Sequence, residues 1–348
     1  MNSAAHSPTA AFSELQRNVA TQDLAVVLML SRLCYNGLRD AAGRWHVWLP
    51  VFALLTATVM TLVLARGSLI RGGPGRALVY RVGMLSCVGG SYFALRPLLP
   101  ILEPRLLDRQ LLALDQSLFG RTPAMWLEPF VTPFSVEWFA VYYYSFYLLL
   151  GGFVFGSLVF DEGRRRYELL LAVTLVMTIG HAGYTFVPGA GPYACPDLSF
   201  QQALHGGIWW ARVESAVRTA GARYDIFPSL HTALSVSMAL HAIRHRRDGV
   251  YSYVWGVISF WVLNIVVATM FLRWHYGVDV LAGLMLAWGA QACAVRLWQQ
   301  EGPLRDAAGN QAVWEALLPA CMPSEDRRLI MGVFGIQLLV CVMLLVSA

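Results

Sequence analysis

Three side chains in this sequence have the types and spacing for phosphoryl chemistry. His231 sits in Phe227-Pro228-Ser229-Leu230-His231, and His275 and Asp279 sit in Arg273-Trp274-His275-Tyr276-Gly277-Val278-Asp279. Two imidazoles and a carboxylate can move a phosphoryl group through a histidine intermediate: one ring attacks, the other supplies and then removes a proton. The i,i+4 spacing of His275 and Asp279 puts both on one helix face, where the carboxylate can hold one ring nitrogen and aim the other. A carboxylate within an apolar stretch is costly without a partner, which marks Asp279 as a functional candidate. The same pair is also consistent with a buried His–Asp contact that holds two helices together.

Pro228 suits the first turn of a helix, and the N–H groups that follow it attract anions. A phosphate there would meet those N–H groups, the Ser229 hydroxyl and His231. Taken alone, Pro-Ser-Leu-His equally describes a capped helix carrying an incidental histidine.

The elements around these motifs must bring them together. Between them lie an apolar run, the patch Arg244-His245-Arg246-Arg247 and a second apolar run. This pattern predicts a membrane hairpin that turns at the arginines and returns both histidines to one face. The composition agrees: 57% of the 348 residues are hydrophobic and 14% charged, the balance of a polytopic membrane protein and not of a soluble domain. The fold expected is an all-α transmembrane bundle. Spans are predicted at 47–65, 82–98, 136–160, 169–187, 228–243, 251–272, 276–297 and 329–346. Segment 24–33 is too short to cross about 30 Å of hydrocarbon and reads as interfacial. Segment 103–133 reads as a surface-lying amphipathic stretch, and 209–218 as a short interfacial helix. The chain divides into an N-terminal polar and interfacial segment (1–46), a catalytic transmembrane domain (47–297), a loop (298–328) and a terminal helix (329–348).

Every basic residue is arginine, and the net charge is only +5. No basic helix points to nucleic acid. The arginine clusters in connections 66–81, 161–168, 244–250 and 296–328 fall on one side by alternation, which makes that side cytoplasmic. Arg96-Pro97, the Gly189–Tyr193 turn, Pro228–His231 and His275 then share the other side. This places the protein in a membrane, expected to be a bacterial inner membrane, with the site facing the periplasm or a lumen. No Cys-x-x-Cys spacing occurs, so neither a disulfide framework nor a cysteine zinc site is expected. His181 on its apolar helix reads as a packed residue, and His241 and His245 belong to the opposite rim.

These motifs resemble the second and third signatures of the type 2 phosphatidic acid phosphatase (PAP2) superfamily. Gly189-Ala190-Gly191-Pro192-Tyr193, Phe227-Pro228-Ser229-Leu230-His231-Thr232-Ala233 and Trp274-His275-Tyr276-x-x-Asp279 resemble its inositol phosphorylceramide synthase branch more closely. Arg96-Pro97 and Leu114-Asp115 through Leu118-Phe119-Gly120 to Pro123 also fit that branch. The likeness covers roughly 96–283. It implies a six-helix core with extra terminal helices, His275 as nucleophile, Asp279 as its orienting group, His231 as acid and then base, and no metal or cofactor. Gly191, Pro192, Tyr193 and Ser229 would line the headgroup pocket. Two departures stand out. Ala268 and Thr269 occupy the places of the usual Ser-Arg, and Gly89 replaces the usual lysine seven residues before Arg96. They favour the synthase-like branch and leave Arg96 and Arg273 as the candidates to clamp phosphate.

The implied partners are membrane phospholipids and lipid alcohols. The reaction expected is transfer of a phospho-headgroup from a glycerophospholipid to a ceramide- or diacylglycerol-like alcohol. Three rivals remain: a phosphatase of the same superfamily using water, a proton-coupled transporter built on the same three side chains, and a zinc site of His231, His275 and Asp279.

Overall fold

The computed structural model describes residues 15, 18–67, 69–70, 73–101, 106–160 and 163–307. The predicted terminal helix, and the loop before it from 308 onward, lie outside the described residues. Among those described the chain is helical, with no strand: α1 (Thr21–Ala41), α2 (Trp45–Arg66), α3 (Gly73–Leu98), α4 (Asp108–Phe119), α5 (Pro123–Leu127), α6 (Pro133–Phe160), α7 (Gly163–Phe186), α8 (Ile208–Ala220), α9 (Leu230–Arg244), α10 (Tyr251–Phe271) and α11 (Gly277–Ala307). Six of these (α2, α3, α6, α7, α10 and α11) are long and apolar enough to cross a bilayer. Large side chains such as Tyr253, Met285 and Trp288 point outward from them and are exposed, as lipid-facing surfaces allow.

The helix bearing His231 differs from the expected span. It has 15 residues, about 22 Å at 1.5 Å each, short of a ~30 Å hydrocarbon layer. The reason is its position. α9 packs against α6, α7, α10 and α11, and Leu230, Leu234, Met238 and Ala242 are buried along with Thr232, Ser235, Ser237 and His241. Buried on all sides, it forms the axis of the bundle and need not reach both surfaces.

The N-terminal helices form a separate layer. α1 buries Val26, Leu30 and Leu33 and packs on α2 and α7. Where it meets α2 and α3, Asp23 is hydrogen-bonded by Tyr80 and by Arg66 (3.0 Å), so this buried carboxylate is compensated.

Candidate active site

Three turns deliver the site. α7 stops at Val187-Pro188-Gly189, and its Gly180 and Gly183 let the Phe227–Leu230 segment approach; an added Cβ would lie 2.3 Å from Leu230 and 2.8 Å from Pro228. α9 then begins with Ser229 as its N-cap, its oxygen accepting from the Thr232 N–H at 3.4 Å and its hydroxyl donating to Thr232 Oγ1 at 3.1 Å. α10 ends as Arg273 turns into the left-handed region (φ 65°), and the Trp274 and His275 N–H groups both donate to the Thr269 carbonyl (3.0 and 3.1 Å). This is a left-handed helix cap made by an arginine in place of the usual glycine. Thr269, at one of the two places where the Ser-Arg pair is lacking, thus serves through its backbone.

α11 starts at once. Asp279 reaches back to accept from the Tyr276 N–H at 2.8 Å, half of a capping box. α9 and α11 cross closely at Gly283, where an added Cβ would lie 2.7 Å from the Ser229 carbonyl oxygen. The Ser229 N–H donates to the Asp279 carbonyl at 3.0 Å. This crossing brings His231 and His275 together, their ring centroids 6.4 Å apart and the planes inclined by 53°. His275 Nδ1 is 3.5 Å from Asp279 Oδ2, an ion-pair distance that leaves Nε2 as the free nitrogen. Tyr143 stacks on His231 at 4.4 Å, and Phe146 lies at the same distance. His231 Nε2 and Asp279 Oδ1 are buried and have no hydrogen-bond partner among the described residues.

The other expected residues divide. The Gly191-Pro192-Tyr193 turn lies against the His275 segment: the Tyr193 N–H donates to the Arg273 carbonyl at 3.0 Å, and the Tyr193 ring meets Trp274 edge-on at 4.9 Å. Gly191 is required there. Its φ is +98°, and a Cβ would lie 2.5 Å from the Trp274 carbonyl oxygen. Ser229 is fully buried in its cap. The Arg273 side chain turns to the outer loop, over Phe200 (3.9 Å), onto the Gln202 carbonyl (2.6 Å) and 3.5 Å from Glu128. Burial lowers its pKa and Glu128 opposes that shift. Arg96 is exposed on α3. Neither arginine touches the histidine pair. His181 is buried, its Nδ1 2.8 Å from Ser91 Oγ.

Three carboxylates that were not among the expected site residues organise the site. Asp108 accepts from the Ala190 (2.9 Å) and Gly191 (2.9 Å) N–H groups and from the Tyr276 hydroxyl (3.1 Å). Asp115 accepts from the Gly277 and Val278 N–H groups (2.9 and 2.8 Å) and from Thr122 (2.6 Å). Segment 103–133, expected to lie on the surface, therefore includes a helix whose Asp108, Leu111, Leu112 and Asp115 are buried as the foundation of the Gly189–Tyr193 turn and the α11 start. The i,i+7 spacing of two acids beside buried leucines on one helical face is the signal that points to it. The third is Asp225. It accepts from the Tyr92 hydroxyl at 2.9 Å; burial raises its pKa, opposed first by that hydrogen bond. Arg223 and Tyr224 before it both have positive φ (53° and 60°). These two and Arg273 are the positive-φ non-glycine residues among those described, and all three precede site residues, where backbone strain collects. Burial also raises the pKa of Tyr193, with Asp225 adding to the shift.

No curated protein and no solved structure matches this chain. A family model described as the PAP2 superfamily matches residues 109–293, just over half of the 348 residues, a range that includes His231, His275 and Asp279. With six helices fit to cross a bilayer among the described residues, this chain is an integral membrane protein and belongs to the PAP2 superfamily.

Proposed function

We propose that the protein is a lipid phosphotransferase that moves a phospho-headgroup from a glycerophospholipid to a lipid alcohol, as the inositol phosphorylceramide synthase-like motifs imply. The observation that carries this reading is the pair of imidazoles 6.4 Å apart with Asp279 behind one of them. Rings at that separation can face one phosphate group from two sides. His275 Nε2 attacks phosphorus, and the bond from phosphorus to the glycerol oxygen breaks. His231 delivers a proton to that oxygen, and diacylglycerol leaves. The headgroup phosphate is then held on His275 as a phosphoramidate. The acceptor hydroxyl gives its proton to His231, its oxygen attacks phosphorus, and the phosphorus–nitrogen bond breaks. Asp279 holds His275 through Nδ1 and stabilises its positive charge during attack.

The remaining residues take positions consistent with this sequence of steps. Gly191, Pro192 and Tyr193 form the wall facing the headgroup. With Arg273 held by the Gln202 carbonyl and Glu128, we assign the phosphate's contacts to the α9 N-terminus, where the Leu230 and His231 N–H groups follow the Ser229 cap. The arginine-rich rim is assigned to the cytoplasm by the positive-inside rule, which puts the histidine pair toward the periplasm or a lumen.

The test is lipid mass spectrometry after purified protein is incubated with mixed phospholipids and lipid alcohols, with and without chelator. A new phospho-headgroup lipid, formed only with acceptor and insensitive to chelation, is the expected result. Headgroup phosphate released to water without an acceptor would instead assign the superfamily's phosphatase reaction. Ion flux into proteoliposomes without lipid turnover would assign transport.

A further inference from the structure

The bundle is open between α6 and α10. A cavity of about 440 Å³ lies there, lined on α6 by Ser145, Leu149, Gly152 and Gly156 and on α10 by Val254 and Ile258. A Cβ built on Gly152 or Gly156 meets nothing within 4 Å. These glycines therefore keep a trough open; they do not admit a neighbouring helix. Trp261 bounds one end of the trough and Tyr251 the other.

The trough begins beside the histidine pair. Trp261 donates to Ser145 Oγ at 2.7 Å, and the next residue, Phe146, is the one packed on His231. From Ser145 to the last lining residue of α6, Ser157, the helix advances about 18 Å, more than half of a ~30 Å hydrocarbon layer. Narrow, apolar along most of its walls and lying along the depth of the hydrocarbon layer, the trough suits one extended hydrocarbon chain.

We infer that this trough holds one acyl chain of the donor phospholipid while its phosphate lies between His231 and His275. The inference rests on the phosphotransfer reading above and adds to it a requirement for a long-chain donor. The short α9 makes the path direct: it begins beside Gly180 of α7, short of that helix's end at Phe186, so a chain leaving the histidine pair can enter the bilayer core through the gap between α6 and α10.

The test combines labelling with kinetics. A phospholipid with a photoreactive group in its acyl chain, incorporated in nanodiscs with the full-length protein, is expected to label residues 148–157 and 250–261, and excess unlabelled long-chain phospholipid should suppress that labelling. Gly152→Leu and Gly156→Leu, which improve helix propensity while filling the trough, should lower the ratio of kcat/KM for a dioleoyl over a dihexanoyl donor tenfold or more. Gly256→Leu, also in open space but outside the trough, should leave that ratio within twofold. Labelling that competitor does not reduce would mean bulk lipid alone fills the trough and would overturn the inference, as would an unchanged ratio in both trough variants. If the native protein turns over neither donor, the phosphotransfer reading fails, and competed labelling still decides the trough.

Discussion

The helix α9 carries a histidine–carboxylate cluster near each end, and the two clusters are built differently. At the arginine-rich end, Glu168 accepts from Arg164 (2.6 Å), Arg244 (2.8 Å) and His245 Nε2 (3.2 Å), while His245 Nδ1 meets Asp248 at 3.1 Å. Both nitrogens of that histidine have partners. At the other end His231 Nε2 and Asp279 Oδ1 have none, and the nearest polar neighbour of His275 Nδ1 stands at 3.5 Å. Buried polar groups are normally satisfied, so unmet ones call for an explanation. Glu168 and His245 are satisfied and fasten the bundle, although His241, its ring 4.6 Å from that of His245, also leaves both nitrogens unpartnered. What sets the other end apart is that two histidines and a carboxylate face one another there, the arrangement the proposed phosphotransfer needs.

Substitution should separate the two clusters. The largest expected effect is from His275→Ala, which removes the proposed nucleophile: turnover is expected to fall at least about 10³-fold with the thermal midpoint nearly unchanged. Glu168→Gln should do the reverse, costing about 1–3 kcal/mol of stability and leaving turnover within a few-fold. That cost is below the value for a fully buried pair because Arg164 is 45% exposed. Turnover assays and thermal melts of both variants in detergent check the contrast.

Asp279→Asn comes next. It keeps the shape but weakens the hold on His275, and a loss of about 10²-fold in kcat is expected from steady-state kinetics. Gly191→Ala forces a Cβ against the Trp274 carbonyl at a left-handed φ. It is expected to cost about 1–3 kcal/mol and to raise KM through the displaced headgroup turn.

Asp225 sets the smallest and most diagnostic effect. Burial raises its pKa, so its neutral form is favoured in the folded protein. The folded state is therefore not penalised below the ordinary carboxylate value of about 4, and the penalty grows as pH rises through the raised value. Asp225→Asn should raise the thermal midpoint at pH 7, with the gain shrinking toward zero below about pH 4. A gain that does not change with pH would separate Asp225 from this linkage.

How much of this was legible in the sequence follows from how far each contact reaches. The apolar runs and the motifs around His231, His275 and Asp279 are local patterns, and the helices and the meeting of the two imidazoles follow from them. Asp108 and Asp115 act on backbone N–H groups 82 to 163 positions away, and no local pattern names such partners. Arg273 reads as a phosphate clamp because it neighbours His275, yet its left-handed backbone aims the side chain at Glu128. The shortness of α9 was hidden for a related reason: hydropathy cannot distinguish a helix wrapped by other helices from one wrapped by lipid.

The central claim is that His275 carries the transferred group, and it is tested most directly by rapid quench under alkaline conditions after mixing with headgroup-labelled phospholipid, followed by peptide mapping. The account predicts label on His275 in the native protein, accumulation of that label in His231→Ala when acceptor is present, and none in His275→Ala. Transfer at the native rate with no label on His275, or with label on another residue, would contradict it.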